Sequence, residues 1–169
     1  MSSYTSPGFK DHVNPDGTSV TVHVSTKIGE GVTLVPGAVI LMNTSIGDNT
    51  FVGREAFIGE NTRISDQVMV MGSVGRFCLI DSGVEIGLRS KIGHGVHIRN
   101  DVFIDSDVIV ESEVVIGLRV RLESKVYVES NAHIMPDVHI PHGFRVASGN
   151  VVNLYQGQLH FQCRQTPCA

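Results

Sequence analysis

The stretch Lys91-Ile92-Gly93-His94-Gly95-Val96-His97-Ile98-Arg99-Asn100-Asp101-Val102-Phe103-Ile104 carries one pattern three times. Ile92, Ile98 and Ile104 stand six residues apart, and Val96 and Val102 each lie two before the next isoleucine. Extending the step outward gives Val22, Ile28, Leu34, Ile40, Ile46, Val52, Ile58, Ile64 and Val70 on one side of a single four-residue step. Val74 resumes the ladder, which then holds its step to Val152. All 23 slots are aliphatic in a chain that is only 41% hydrophobic, a run with chance odds on the order of one in a billion. A fixed short period of this kind dictates architecture.

The position two before each rung is small or apolar, as at Val32, Ala38, Thr44, Thr50, Ala56, Thr62 and Val68, and later at Val84, Val96, Val102, Val108, Val114, Val120 and Val126. Rung and slot therefore point the same way, the alternation of a strand, and the residue between them (Lys91, His97, His133) faces outward. Glycine follows the rung at 29, 47, 53, 59, 75, 87, 93 and 117, where a corner is expected to need its conformational freedom. Three strands and three corners close a coil every 18 residues. Roughly seven such coils, stacked about 4.8 Å apart, give an all-β three-sided prism some 30–35 Å tall. A helix does not fit, because six is no multiple of 3.6 and each glycine would cost about 1 kcal/mol. Residues 1–19 read as a loose N-terminal cap, 20–152 as a parallel β-helix and 153–169 as a short polar tail.

Composition narrows the function. With 169 residues and one unbroken repeat the chain is a single domain, so any site sits on the repeat itself. A net charge of −4, with 13 Lys and Arg scattered, argues against nucleic acid. No apolar stretch approaches a membrane span and no leader is visible. Three cysteines, Cys78, Cys163 and Cys168, form an odd set that fits a reducing, cytoplasmic setting. Cys78 takes an inward slot, and the other two read as free tail thiols.

This pattern resembles the hexapeptide-repeat superfamily of left-handed parallel β-helices, over about 130 of the 169 residues. The left hand and a homotrimer with clefts between prisms are implied by that resemblance alone, since the general crossover preference is right-handed. Two stretches are similar to the gamma-class carbonic anhydrase branch. One is the phase slip between Ile58 and the Val68–Val74 pair, read as a ten-residue step where that branch has a loop; the other is Ile140-Pro141-His142-Gly143-Phe144-Arg145-Val146-Ala147-Ser148-Gly149-Asn150-Val151-Val152. That branch binds zinc or iron with three histidines, whose slots fall here at Asp81, His94 and Arg99. Its further polar positions fall at Gly59, Asn61 and Gly75. Arg99 has no lone pair to give, so the resemblance implies a degenerate metal site, with Asp81 and Arg99 forming an exposed ion pair instead. The expected function is then a non-catalytic scaffold or assembly subunit without a cofactor, serving a protein partner.

The alternative is an acyltransferase using acetyl-CoA. Its base would be His94, flanked by Gly93 and Gly95, because general-base work needs a group titrating near neutrality. Arg89, Arg119 and Arg121 are candidates for a CoA phosphate, although the two Ile-Gly-Leu-Arg copies fall on different faces. The pairs His94/His97 and His139/His142 each split between a corner and a flat face, and His97 and His133 lie two coils apart, about 10 Å. A shared ion is therefore expected only across subunits. Asp105, Glu111, Glu123 and Glu129 read as a solvated corner ladder.

Overall fold

A computed structural model describes residues 8–163. It is an all-β, left-handed parallel β-helix of about seven turns. An antiparallel hairpin of β1 (Phe9–Val13) and β2 (Ser19–His23) comes first. It is followed by 21 two-residue strands, β3 (Lys27–Ile28) to β23 (Arg145–Val146), and by β24 (Asn150–Tyr155) and β25 (Gln158–Cys163). Each strand pairs in parallel with the third one along, producing three faces. Face one runs from β3 to the β24–β25 hairpin, face two from Thr33–Leu34 to His139–Ile140, and face three from Val39–Ile40 to Arg145–Val146.

Every rung except Ile28 is buried, and so are most of the small slots, including Thr44, Thr50, Thr62, Cys78 and Ser90, while Ala38 is half-buried. The interior is a single aliphatic column because each coil contributes only three rungs and three slots to it. Polar slots bond to corner carbonyls: Thr50 Oγ1 donates to Ser65 O at 3.0 Å, Thr62 Oγ1 to Gly75 O at 2.8 Å and Ser90 Oγ to Asp105 O at 2.6 Å. Burial pushes the Cys78 thiol up to about 11.

Three features differ from the expectations of the sequence. The first concerns the phase slip, which forms no ten-residue loop. Face two's Met69–Val70 passes to face three's Ser73–Val74 through Met71 and Gly72 alone, so partners across this step stand 16 apart (Phe57 with Ser73) instead of 18. The corner is cut short by two residues, and a Cβ on Gly72 would meet Ser90 O at 2.4 Å, which leaves glycine as the residue that fits. The second concerns the glycines after rungs. None of the eight has a positive φ; that conformation falls three past the rung, on Asn43, Glu55, Phe77 and their equivalents. Those glycines serve close approach, since a Cβ on Gly59 would lie 2.5 Å from the carbonyl carbon of Gly75.

The third concerns the ends, both of which are built. Asn14, buried in the first hairpin, donates from Nδ2 to Leu34 O at 2.8 Å and accepts from Leu34 N at 2.7 Å, so one side chain stands in for a missing strand. Lys10 Nζ donates to Thr26 O at 2.7 Å beside it. At the other end β25 pairs antiparallel with β24, and Phe161 stacks on Phe144 with centroids 5.3 Å apart. The tail is thus a strand as far as Cys163, while Cys168 lies outside the described residues.

Candidate functional site

The corner between faces three and one carries His94. Stacked with it, one coil apart, are Arg76 and Ser112, and Gly59, Gly75 and Gly93 form an adjoining column of bare backbone. His94 is exposed, but its ring is already engaged: Arg76 N donates to Nδ1 at 3.0 Å. A ring whose Nδ1 accepts carries its proton on Nε2, so the outer nitrogen is a donor and has no lone pair to offer as a base. The contact belongs to a series. Glu30 N donates to Asp48 Oδ1 at 2.8 Å, Asp48 N to Asp66 Oδ1 at 2.9 Å and His94 N to Ser112 Oγ at 3.3 Å. In each case the residue two past a rung caps the amide one coil below. His94 does there what aspartate and serine do elsewhere.

Asp81 and Arg99 stack in the corner between faces one and two. Arg99 Nη1 lies 3.9 Å from Asp81 Oδ2, with side chains 60% and 35% exposed and no hydrogen bond between them. The pair expected from the sequence is present and loose, and such an exposed contact contributes little. His94 sits at a different corner of the same prism, so one chain does not assemble the three positions. Among the described residues, no three His, Cys, Asp or Glu side chains converge as a metal would need.

The acidic residues after late rungs do more than face solvent. Glu111 accepts from the Tyr127 hydroxyl with one oxygen and from Ser130 N at 3.0 Å with the other. Glu123 takes His139 Nε2 and His142 N, each at 2.8 Å, and Glu129 takes Arg145 Nε at 2.5 Å and Ser148 N at 2.9 Å. One rule covers all three: an outward side chain 16 residues on and a corner amide 19 residues on. These bonds hold the carboxyls below the usual range, Glu111 chiefly through Tyr127, Glu123 through the His142 amide and Glu129 through Arg145. Sequence reasoning missed this role, although the 16-residue offset to Tyr127, His139 and Arg145 was there to be seen.

The arginines considered for CoA are also committed. Arg89 forks onto Asp107 with both bonds at 2.7 Å, Arg119 onto Asp137 at 2.6 and 2.9 Å, and Arg121 lies 4.6 Å over the Phe103 ring. Arg89 and Arg119 stand at different corners, as their positions predicted.

A family profile described as the GMPPB C-terminal domain matches residues 17–125. None of the curated proteins matches the chain. Among solved structures, the acetyltransferase domain of PglB from Neisseria gonorrhoeae FA1090 is 18% identical, with a TM-score of 0.36. That match covers 78% of this chain and 52% of the other, so the chain spans about half of that protein's length. UDP-N-acetylglucosamine O-acyltransferase (LpxA) from Moraxella catarrhalis RH4 is 14% identical, covers 82% and 73%, and has a TM-score of 0.46. A mutant of AntD, an N-acyltransferase from Bacillus cereus in complex with dTDP and coenzyme A, is 11% identical, covers 84% and 86%, and has a TM-score of 0.48. The likeness is one of fold, the hexapeptide-repeat β-helix. With its loop absent, the carbonic anhydrase resemblance rests on the closing stretch alone.

Proposed function

Since the chain belongs to the family of the GMPPB C-terminal domain, a hexapeptide-repeat β-helix, we propose that it is a non-catalytic assembly module that associates with copies of itself as a homotrimer. The observation that carries the reading is the engagement of His94 Nδ1 by the Arg76 amide, which gives the one base candidate a structural task. Assembly is supported by apolar side chains left in solvent along the edge between faces three and one. Val39 (47% exposed), Met42 (48%), Phe57 (38%), Phe77 (58%) and Leu79 (41%) lie there on three successive coils. Grouped apolar exposure on a soluble domain marks an association surface.

Light scattering is expected to give three times the chain mass, and Phe77→Asp with Phe57→Asp to release folded monomer. A monomeric wild-type protein would sink the reading.

A second reading, acyl-CoA-dependent transfer with His94 as base, is favoured by the bare Gly59–Gly75–Gly93 backbone beside an exposed imidazole. His94→Asp separates the two. An aspartate restores the cap found at Asp48 and Asp66, so an assembly module keeps its stability and oligomeric state. An acyltransferase loses release of CoA from acetyl-CoA in the presence of an acceptor amine or hydroxyl.

A further inference from the structure

The corner between faces one and two holds a hollow that neither reading uses. Its column runs Asp81, Arg99, Gly117, Met135, with consecutive members linked through the ladder bonds Asp81 N to Ile98 O, Arg99 N to Ile116 O and Gly117 N to Ile134 O. A Cβ on Gly117 would lie 2.5 Å from Pro136 N, so the next coil closes over the backbone there, and a hollow opens beside it between Arg99 and Met135. The cavity, about 290 Å³, is walled chiefly by Val115, Leu118, Met135 and Pro136, with Arg99, Asn100 and His133 as its polar lining.

Arg99 differs from its neighbours on the upper coils. Arg89, Arg119 and Arg145 each donate a hydrogen bond to a carboxylate, whereas the Arg99 guanidinium makes none and only approaches Asp81 at 3.9 Å. Asp81 also borders a second hollow, which Arg63 lines as well. A planar fork of free donors beside an apolar slot is the arrangement that recognises a carboxylate on a hydrocarbon body.

We propose that this hollow binds a small carboxylate with an apolar body, an aromatic acid the size of benzoate or a short fatty acid. The carboxylate takes the Arg99 fork, and the ring or chain lies against Leu118 and Met135. Inorganic phosphate satisfies only the first of these contacts, and an alcohol of the same body only the second. The hollow lies on a different corner from the apolar edge assigned to assembly.

The test is calorimetric or ligand-observed NMR titration of the purified protein with sodium benzoate and sodium hexanoate, against benzyl alcohol, hexanol and inorganic phosphate. Affinity on the order of 1 mM or tighter is expected for the acids, within reach of so few heavy atoms. Arg99→Gln is expected to weaken both acids at least tenfold, and Leu118→Asp to abolish their binding. Arg99 is exposed and Leu118 half-buried, and unchanged melting temperatures establish that the variants are folded. The proposal falls if the acids do not bind, if Arg99→Gln leaves their affinity unchanged, or if phosphate or the alcohols bind as tightly as the acids.

Discussion

The lower and upper coils meet the same backbone need from opposite directions. Up to Ser112, corner amides are mostly capped from the coil above, by Asp48, Asp66, His94 and Ser112, and Asn43 N, held from below by Ser25 Oγ, is the exception. From Glu111 onward they are capped from the coil below, by Glu111, Glu123 and Glu129. The change goes with the residue after the rung. Gly29, Gly47, Gly75 and Gly93 leave no side chain there, so the cap comes from a neighbour; where glutamate stands after the rung, its longer arm reaches upward instead. The outer surface leans the same way, with exposed Met42, Phe57 and Phe77 low on the prism and the Arg89–Asp107, Arg119–Asp137 and Arg145–Glu129 pairs higher up, although Met135 is exposed high and Arg76 pairs with Glu60 low. His94 makes sense inside this contrast, as a lower-coil cap that happens to be an imidazole.

The sharpest way to break the comparison is in the glycine column. Gly75→Ala places a Cβ 2.4 Å from Gly93 O and 2.7 Å from His94 Nδ1, so backbone must shift. A loss of about 3 kcal/mol is expected, the upper range for overpacking, read by urea denaturation. Ala147, in the same column high on the prism, already carries a Cβ, so Ala147→Gly should change far less. Equal effects at both sites would mean that close packing of corners does not distinguish the two halves.

Next in size is the lower end. Asn14→Ala strips both backbone groups of Leu34 of their partner, for about 2 kcal/mol, since each buried unsatisfied group costs about 1–3 kcal/mol. Asn14→Asp keeps the acceptor and loses the donor, so it should fall between. If neither variant moves the denaturation midpoint, the clamp is not what closes the first coil.

Much of this was legible in the sequence. The rungs, the slots, the outward residues, the coil length and the Asp81–Arg99 column follow from a period of six, because one residue per strand must face a narrow core. The caps did not follow, for a physical reason. A corner side chain chooses its partner 16 to 19 residues away, on a coil that the local pattern does not describe, and glycine after a rung reads equally as conformational relief or as close approach. Asn14 lies outside the repeat altogether, and the shortened corner at Met71 and Gly72 left only a slip of phase, which a longer loop explained as well.

Acid should separate the halves by a smaller margin. Apart from Asp16 in the first hairpin, every carboxyl held low by its partners lies in the upper coils: Asp107, Glu111, Glu123, Glu129 and Asp137. A carboxyl lowered in the folded state contributes stability that is whole above the unfolded values, 3.8 for Asp and 4.5 for Glu, and is lost as pH falls through the lower folded ones. On going from pH 6 to pH 3, hydrogen exchange at amides 107–146 should therefore speed up, after correction for intrinsic rates, more than at 28–64. Uniform acceleration along the prism would show that these contacts do not hold the upper corners.

The smallest effect is expected where the bonds look best. Arg89 and Arg119 fork onto Asp107 and Asp137 with near-ideal lengths, yet both pairs stand in solvent, with side chains 70% and 35% exposed in the first and 56% and 55% in the second. Water competes for every donor, salt screens the attraction, and holding two long side chains in one geometry costs rotamer freedom. A double-mutant cycle on Arg119→Gln and Asp137→Asn should give a coupling within the error of the measurement at physiological salt. Glu129 contrasts with them, since one oxygen accepts from Arg145 while the other holds the Ser148 backbone amide. The Glu129→Gln and Arg145→Gln cycle should then give a measurable coupling that persists in high salt. A larger coupling at Arg119 than at Glu129 would reverse the ranking and make the surface forks, in place of the amide caps, the feature that distinguishes the upper coils.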